Sequence, residues 1–153
     1  MISEAAINRT LDRLESGDEA YEQQIQDFAE SQPELMEYLT NEDVEAFTEG
    51  ERELLLFAAL VIFQSIDDEQ SGLPEVTGDA IATAEERNYE IMAGSKGATL
   101  RDRFTPFFEQ SEEEELLAFV EDLTLSEEEG DAISPEAREP FFVTLKTVID
   151  TLT

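Results

Sequence analysis

Ten apolar residues in an unbroken run at 54–63 constrain this chain more than any other stretch. They follow a charged turn in which Thr48 and Glu51 have the spacing of a reciprocal helix cap. A helix apolar on every side has no solvent face, so it belongs inside a protein or a membrane. Ten residues is half of the roughly 20 that span a bilayer, so 48–66 reads as a buried core helix. Residues 134–152 echo it: Ser134 and Pro135 open a helix whose stripe is Phe141, Phe142, Leu145, Val148, Ile149 and Leu152. That stripe leaves Lys146 and Asp150 toward solvent.

The chain around these helices is extremely acidic. It holds 39 Asp and Glu against 9 Lys and Arg, a net charge of −30, and only Lys96 and Lys146 are lysines. Self-repulsion on that scale opposes compaction. In about 1 M salt the Debye length falls to about 3 Å, and most of the penalty disappears. Adaptation to a salt-rich cytoplasm is therefore the leading reading. Mimicry of a nucleic-acid backbone and cation binding are the alternatives. Direct nucleic-acid binding needs a basic footprint that the chain lacks. The absence of Cys and His removes disulfides, thiolate chemistry, the commonest general base and the commonest transition-metal ligand. A non-enzymatic role, without cofactor, follows as the expectation. An enzyme here would have to work with carboxylates alone.

The first twenty residues carry neither a basic segment nor an apolar core, so no signal peptide is expected and the cytoplasm is the default location. No run is long enough for a membrane span. The Asn8-Arg9-Thr10 sequon reads as a chance match.

Periodicity predicts helices throughout and strands nowhere. Ser3 caps the first helix, with Ile7, Leu11 and Leu14 inward; Ser16-Gly17 ends it and Asp18 caps the next. Tyr21, Ile25 and Phe28 mark that second helix, and Pro33 opens a short third. Val44 and Phe47 point inward from a linker ahead of Thr48. Thr77 caps a helix to about Ala93 whose apolar set is Ala80, Ile81, Ala84, Tyr89, Ile91 and Met92. Thr99 starts one bent at Pro106. Ser111 with the carboxylates at 112–115 starts another, and the last begins in a turn at Ser134 and in earnest at Pro140.

Matching Thr48 to Ser134, an offset of 86, aligns Arg52-Glu53 with Arg138-Glu139 and Gln64-Ser65-Ile66 with Asp150-Thr151-Leu152. Further upstream the offset becomes 81, where Leu35, Met36, Tyr38 and Leu39 meet Leu116, Leu117, Phe119 and Val120, and then 79. Gaps fall only in loops, as in a duplicated unit. The expected architecture is an all-α bundle of about eight helices, with one four-helix unit at 1–72 and a second at 73–153 sharing one core.

Few residues suggest chemistry. Asp67, Glu69 and Ser71 with Gly72 imitate the opening of a calcium-binding loop, but position twelve is Gly78 rather than a carboxylate. Residues 94–99 have a phosphate-loop flavour without its Gly-Lys-Ser/Thr order. Lys96, Arg101 and Arg103 form the one local basic cluster, fit either to hold an anion or partner or to pair with neighbouring carboxylates. Arg52 and Arg138 sit in first helical turns, where a cation is disfavoured, so each is expected to bond a carboxylate. Any partner is expected to be a protein, or a second copy of the chain, docking in an apolar groove or near 96–103.

Overall fold

The computed structural model describes residues 2–15, 18–40, 47–70, 72–126 and 133–153. Among the described residues there are eight helices and no strand. These are α1 (Glu4–Glu15), α2 (Asp18–Ser31), α3 (Pro33–Thr40), α4 (Glu49–Glu69), α5 (Gly78–Gly94), α6 (Leu100–Gln110), α7 (Glu114–Leu125) and α8 (Pro135–Leu152). Ser16, Gly17, Val44 and Ser71 lie outside the described residues.

Short polar side chains start these helices by accepting otherwise orphaned N–H groups. Ser3 Oγ accepts from Ala6 N at 3.1 Å, Thr77 Oγ1 from Ala80 N at 3.2 Å, and Thr99 Oγ1 from Asp102 N at 3.2 Å. Thr48 and Glu51 form the full reciprocal box: Thr48 Oγ1 accepts from Glu51 N at 3.1 Å, and Glu51 Oε1 accepts from Thr48 N at 2.8 Å. Pro33 and Pro135 occupy first helical positions, where the missing N–H is harmless.

Three boundaries differ from those expected. α4 continues through Asp67, Asp68 and Glu69, which Arg9 and Arg13 partly neutralise from α1. α8 does not restart at Pro140 but runs through it, as α6 runs through Pro106. The carbonyls that lose a partner belong to Glu136 and Asp102, exposed residues in the first turns of their helices, so each helix loses one bond near its start and continues. Ser111 is not the cap of α7. It closes α6, its Oγ accepts from Glu113 N at 3.0 Å, and α7 begins only at Glu114.

α4 and α8 lie side by side at the centre. Ala58 through Ile62 and Ile66 are wholly buried in α4, as are Phe141, Phe142, Val143, Leu145 and Val148 in α8. Phe142 is the densest point: its ring stacks on Phe104 at 3.8 Å between centroids and meets Phe107 edge-on at 5.1 Å. Phe28 of α2 packs edge-on against Phe63 of α4 at 5.0 Å. Phe47, as expected, faces inward, edge-on to Phe141.

The remaining helices pack in matching pairs. α1 lies on α4 and α5 on α8; α3 lies on α4 and α7 on α8; α1 touches α7 where α3 touches α5. At the top of the core one buried side chain ties the two central helices together. Glu51 Oε2 accepts from Ser134 N at 2.7 Å while its Oε1 caps its own helix. Burial opposes ionisation of Glu51, but the hydrogen bonds from Thr48 and Ser134 outweigh it and hold the carboxyl below its ordinary value of 4.5.

Two measurements check this core. Phe142→Ala should lower the unfolding free energy by about 3–5 kcal/mol in a denaturant titration, the range for a buried aromatic. A depressed carboxyl pKa contributes stability above the ordinary value and loses it as pH falls through the folded one. From pH 6 to pH 3 the native chain should therefore lose more stability than Glu51→Gln, whose amide does not titrate. The difference between the two proteins is the readout, because protonating the other carboxylates affects both alike.

Candidate functional site

The residues singled out for chemistry do not converge. Asp67 and Glu69 stand in the last helical turn of α4, two positions apart and so on different sides of it. Glu69 pairs with Arg9 at 3.7 Å, and no group of three potential metal ligands occurs among the described residues. Arg101 and Arg103 leave α6 in different directions. Arg103 reaches Glu139 of α8 and donates to Met92 O at 3.2 Å, while Arg101 lies 3.9 Å from Glu121 of α7. Burial raises the Glu121 pKa; Arg101 partly offsets it and neighbouring Asp122 adds to the rise. Lys96 is exposed and has no ion pair among the described residues. The glycine loop before α6 folds back on its own helix: a Cβ at Gly97 would lie 2.4 Å from that of Asp102. The place of a phosphate is thus filled by the helix's own first turn.

Arg138 does not bond a carboxylate as expected; its Nε donates to Ile133 O at 3.2 Å. Among the described residues Tyr89 is the one large hydrophobic side chain exposed.

A different set of groups does come together, between α5 and α8. The buried residues of α5 are Ile81, Asn88 and Met92, and of these Asn88 meets α8 through its side chain. Asn88 is wholly buried and Tyr89 is 42% exposed. Lys146 also departs from expectation, being 7% exposed rather than on the solvent side. Its ammonium pairs with Asp150 one turn on. Asn88 Nδ2 donates to Asp150 Oδ2 at 3.1 Å and to Thr147 Oγ1 at 3.2 Å. Thr147 Oγ1 in turn donates to Val143 O at 2.8 Å. At the other end of the seam the Tyr38 hydroxyl donates to Glu85, and burial together with that carboxylate pushes the phenol pKa far up.

The seam opens onto a cleft of about 270 Å³ between α5, α8 and the α6–α7 connection. Asn88, Lys146 and Asp150 stand in its wall, Ile91 and Phe107 add apolar surface, and Arg87, Glu112 and Glu113 rim it. Arg87 is exposed and has no ion pair among the described residues. Asn88 Oδ1, fully buried, accepts no hydrogen bond. Turning the amide would only set that oxygen against the Asp150 carboxylate, so the orientation is dictated by charge.

The sequence carried a trace of this seam. Glu85 and Asn88 interrupt an otherwise apolar stripe at helical spacing, and Thr144, Thr147 and Thr151 line one side of α8. The expected apolar set held Ile81 and Met92, which are buried, but it included Tyr89, which is exposed, and passed over Asn88. No protein-family model matches the chain, and no curated protein or solved structure does so either.

Lys146→Met should cost about 2 kcal/mol, because it leaves Asp150 charged and half-enclosed without its cation. Adding Asp150→Asn should recover most of that loss, since the amide oxygen still accepts from Asn88 and no charge is left over. Paired thermal or denaturant unfolding of the single and double variants provides the check.

Proposed function

We propose that the chain is an acidic, non-enzymatic helical protein of a high-salt cytoplasm that works through contact with another protein. One observation carries this reading: carboxylates stand exposed on every helix, while most cations are drawn into contacts within the chain. Glu4, Glu22, Glu34, Glu49, Asp79, Asp102, Glu114 and Glu136, one from each helix in turn, are all exposed. Arg9, Arg13, Arg101, Arg103 and Lys146 each meet a carboxylate. Such a distribution favours solvation in concentrated salt, where surface repulsion is screened. A nucleic-acid mimic needs its charges in two rows on one face, and a divalent-cation site needs three or more convergent ligands.

No pair of groups in the α5–α8 cleft has the form of a nucleophile with its base. Lys146 is committed to Asp150, and the hydroxyl of Thr147 is already donated to a carbonyl. That arrangement supports a binding rather than a catalytic role. The matched packing of α1–α4 and α5–α8 supports an internal duplication, with 1–72 and 73–153 as its units.

Salt titration tests the reading. Helicity by circular dichroism should rise between 0.1 M and 2 M KCl, and the melting temperature by more than about 10 °C, as relief of several kcal/mol implies. A flat response would reject salt adaptation.

A further inference from the structure

We infer that two grooves, one between α1 and α7 and one between α3 and α5, each receive a basic amphipathic helix of a partner protein. This rests on the reading of the chain as a protein that works through contact, and it adds where the contact lies and what chemistry fits it. Each of these helix pairs meets over a short stretch, and a groove lies beside each meeting.

The two grooves are lined by the same pattern of positions. α1 contributes Glu4, Ile7, Asn8 and Leu11. α5 contributes Gly78, Ile81, Ala82 and Glu85, at a constant offset of 74. On the opposite walls, Glu115, Ala118 and Phe119 of α7 match Glu34, Glu37 and Tyr38 of α3 at an offset of 81, the one that aligns the buried faces of these helices. Each wall is therefore the i, i+3, i+4 face of a helix. Two such faces side by side have the form in which a third helix lays an apolar stripe.

Shape alone would recur wherever the packing does, but the chemistry recurs as well. Ile7 and Ile81, both buried, lie at the matching place along α1 and α5, and half-buried Phe119 and Tyr38 each put a ring on the facing wall. Glu4, Glu115 and Asp122 rim the first groove. Glu34 and Glu37 rim the second, where Glu85 is taken up by the Tyr38 hydroxyl. Among the described residues neither groove is lined by a cation, whereas the α5–α8 cleft holds Arg87 and Lys146 and the cleft beside α2 holds Arg13.

Carboxylates stand all over this surface, so charge alone selects no face; the apolar floor does that. Charge then selects the occupant. A second copy of the chain, or any other acidic partner, would set carboxylate against carboxylate. Lysine and arginine stems instead lie along apolar surface while their heads reach the rim, and a cation over Phe119 or Tyr38 gains from the ring face. Volumes of about 190 and 280 Å³ fall below the range for small-molecule pockets, as suits grooves that take side chains of a partner.

The test uses the intact chain in 2 M KCl and a synthetic amphipathic helix of leucine and lysine, about 14 residues long so that it can form in solution. Calorimetry should show saturation at two peptides per chain. The same peptide with glutamate for lysine should bind at least about tenfold more weakly, as the loss of charge-assisted contacts implies. Glu4→Lys with Asp122→Lys, both exposed, should remove one of the two sites and leave the circular dichroism unchanged. Glu34→Lys with Glu37→Lys should remove the other. Glu22→Lys with Glu30→Lys, exposed on α2 and lining neither groove, should leave both. Absence of saturation, or equal loss from the α2 variant, would overturn the inference. Equal binding of the glutamate peptide would overturn it too, while leaving the broader reading of a contact protein in place.

Discussion

The packing of α4 against α8 is the constraint on which the rest of this structure depends. A chain of net charge −30 has little to gain from its surface, so its stability must come from the interior. The two central helices supply that interior almost without interruption: the wholly buried positions of α4 and α8 meet along the middle of the molecule. Every other helix except α6 lies on one of the two, and α2 and α6 send aromatic rings inward to the same pair. Phe104 and Phe107 close on Phe142, and Phe28 closes on Phe63.

Glu51 shows how a carboxylate can serve such a core rather than oppose it. A buried anion is costly unless its lone pairs are satisfied. Here both oxygens accept backbone N–H groups at helix starts, where the helix dipole also favours negative charge. One residue thus completes a cap, neutralises an orphaned donor at the entry to α8 and fixes the two central helices at their common end.

Much of this was legible from residue order because the signals were local. Caps are written within four residues, and Thr48, Thr77 and Thr99 act where the spacing places them. The unbroken apolar run could only be interior. What was not legible depends on neighbours distant in the chain. Pro140 reads as a break, yet the exposure of Glu136 lets the helix pass. Ser111 has the chemistry of a helix start but is taken up in closing α6. Lys146 and Asp150 look like an exposed pair on an amphipathic helix, and only α5, lying across them, encloses the ammonium. Asn88 was the least legible of all, because a buried amide in an apolar stripe has meaning only when the groups opposite it are known.

The polar seams along the two central helices are completed in different ways. Polar side chains stand between α1 and α4 at Gln64 and between α5 and α8 at Asp150. Along α1 and α4 a long cation, Arg13, donates to both Gln64 and Asp68. In the second, Asp150 draws in the shorter Lys146 from its own helix and the amide of Asn88 from α5, and one acceptor is left over. A buried polar group without a partner weakens the fold that carries it, by about 1–3 kcal/mol. In a chain whose surface already works against compaction, the apolar contacts of α5 on α8 have to offset that loss.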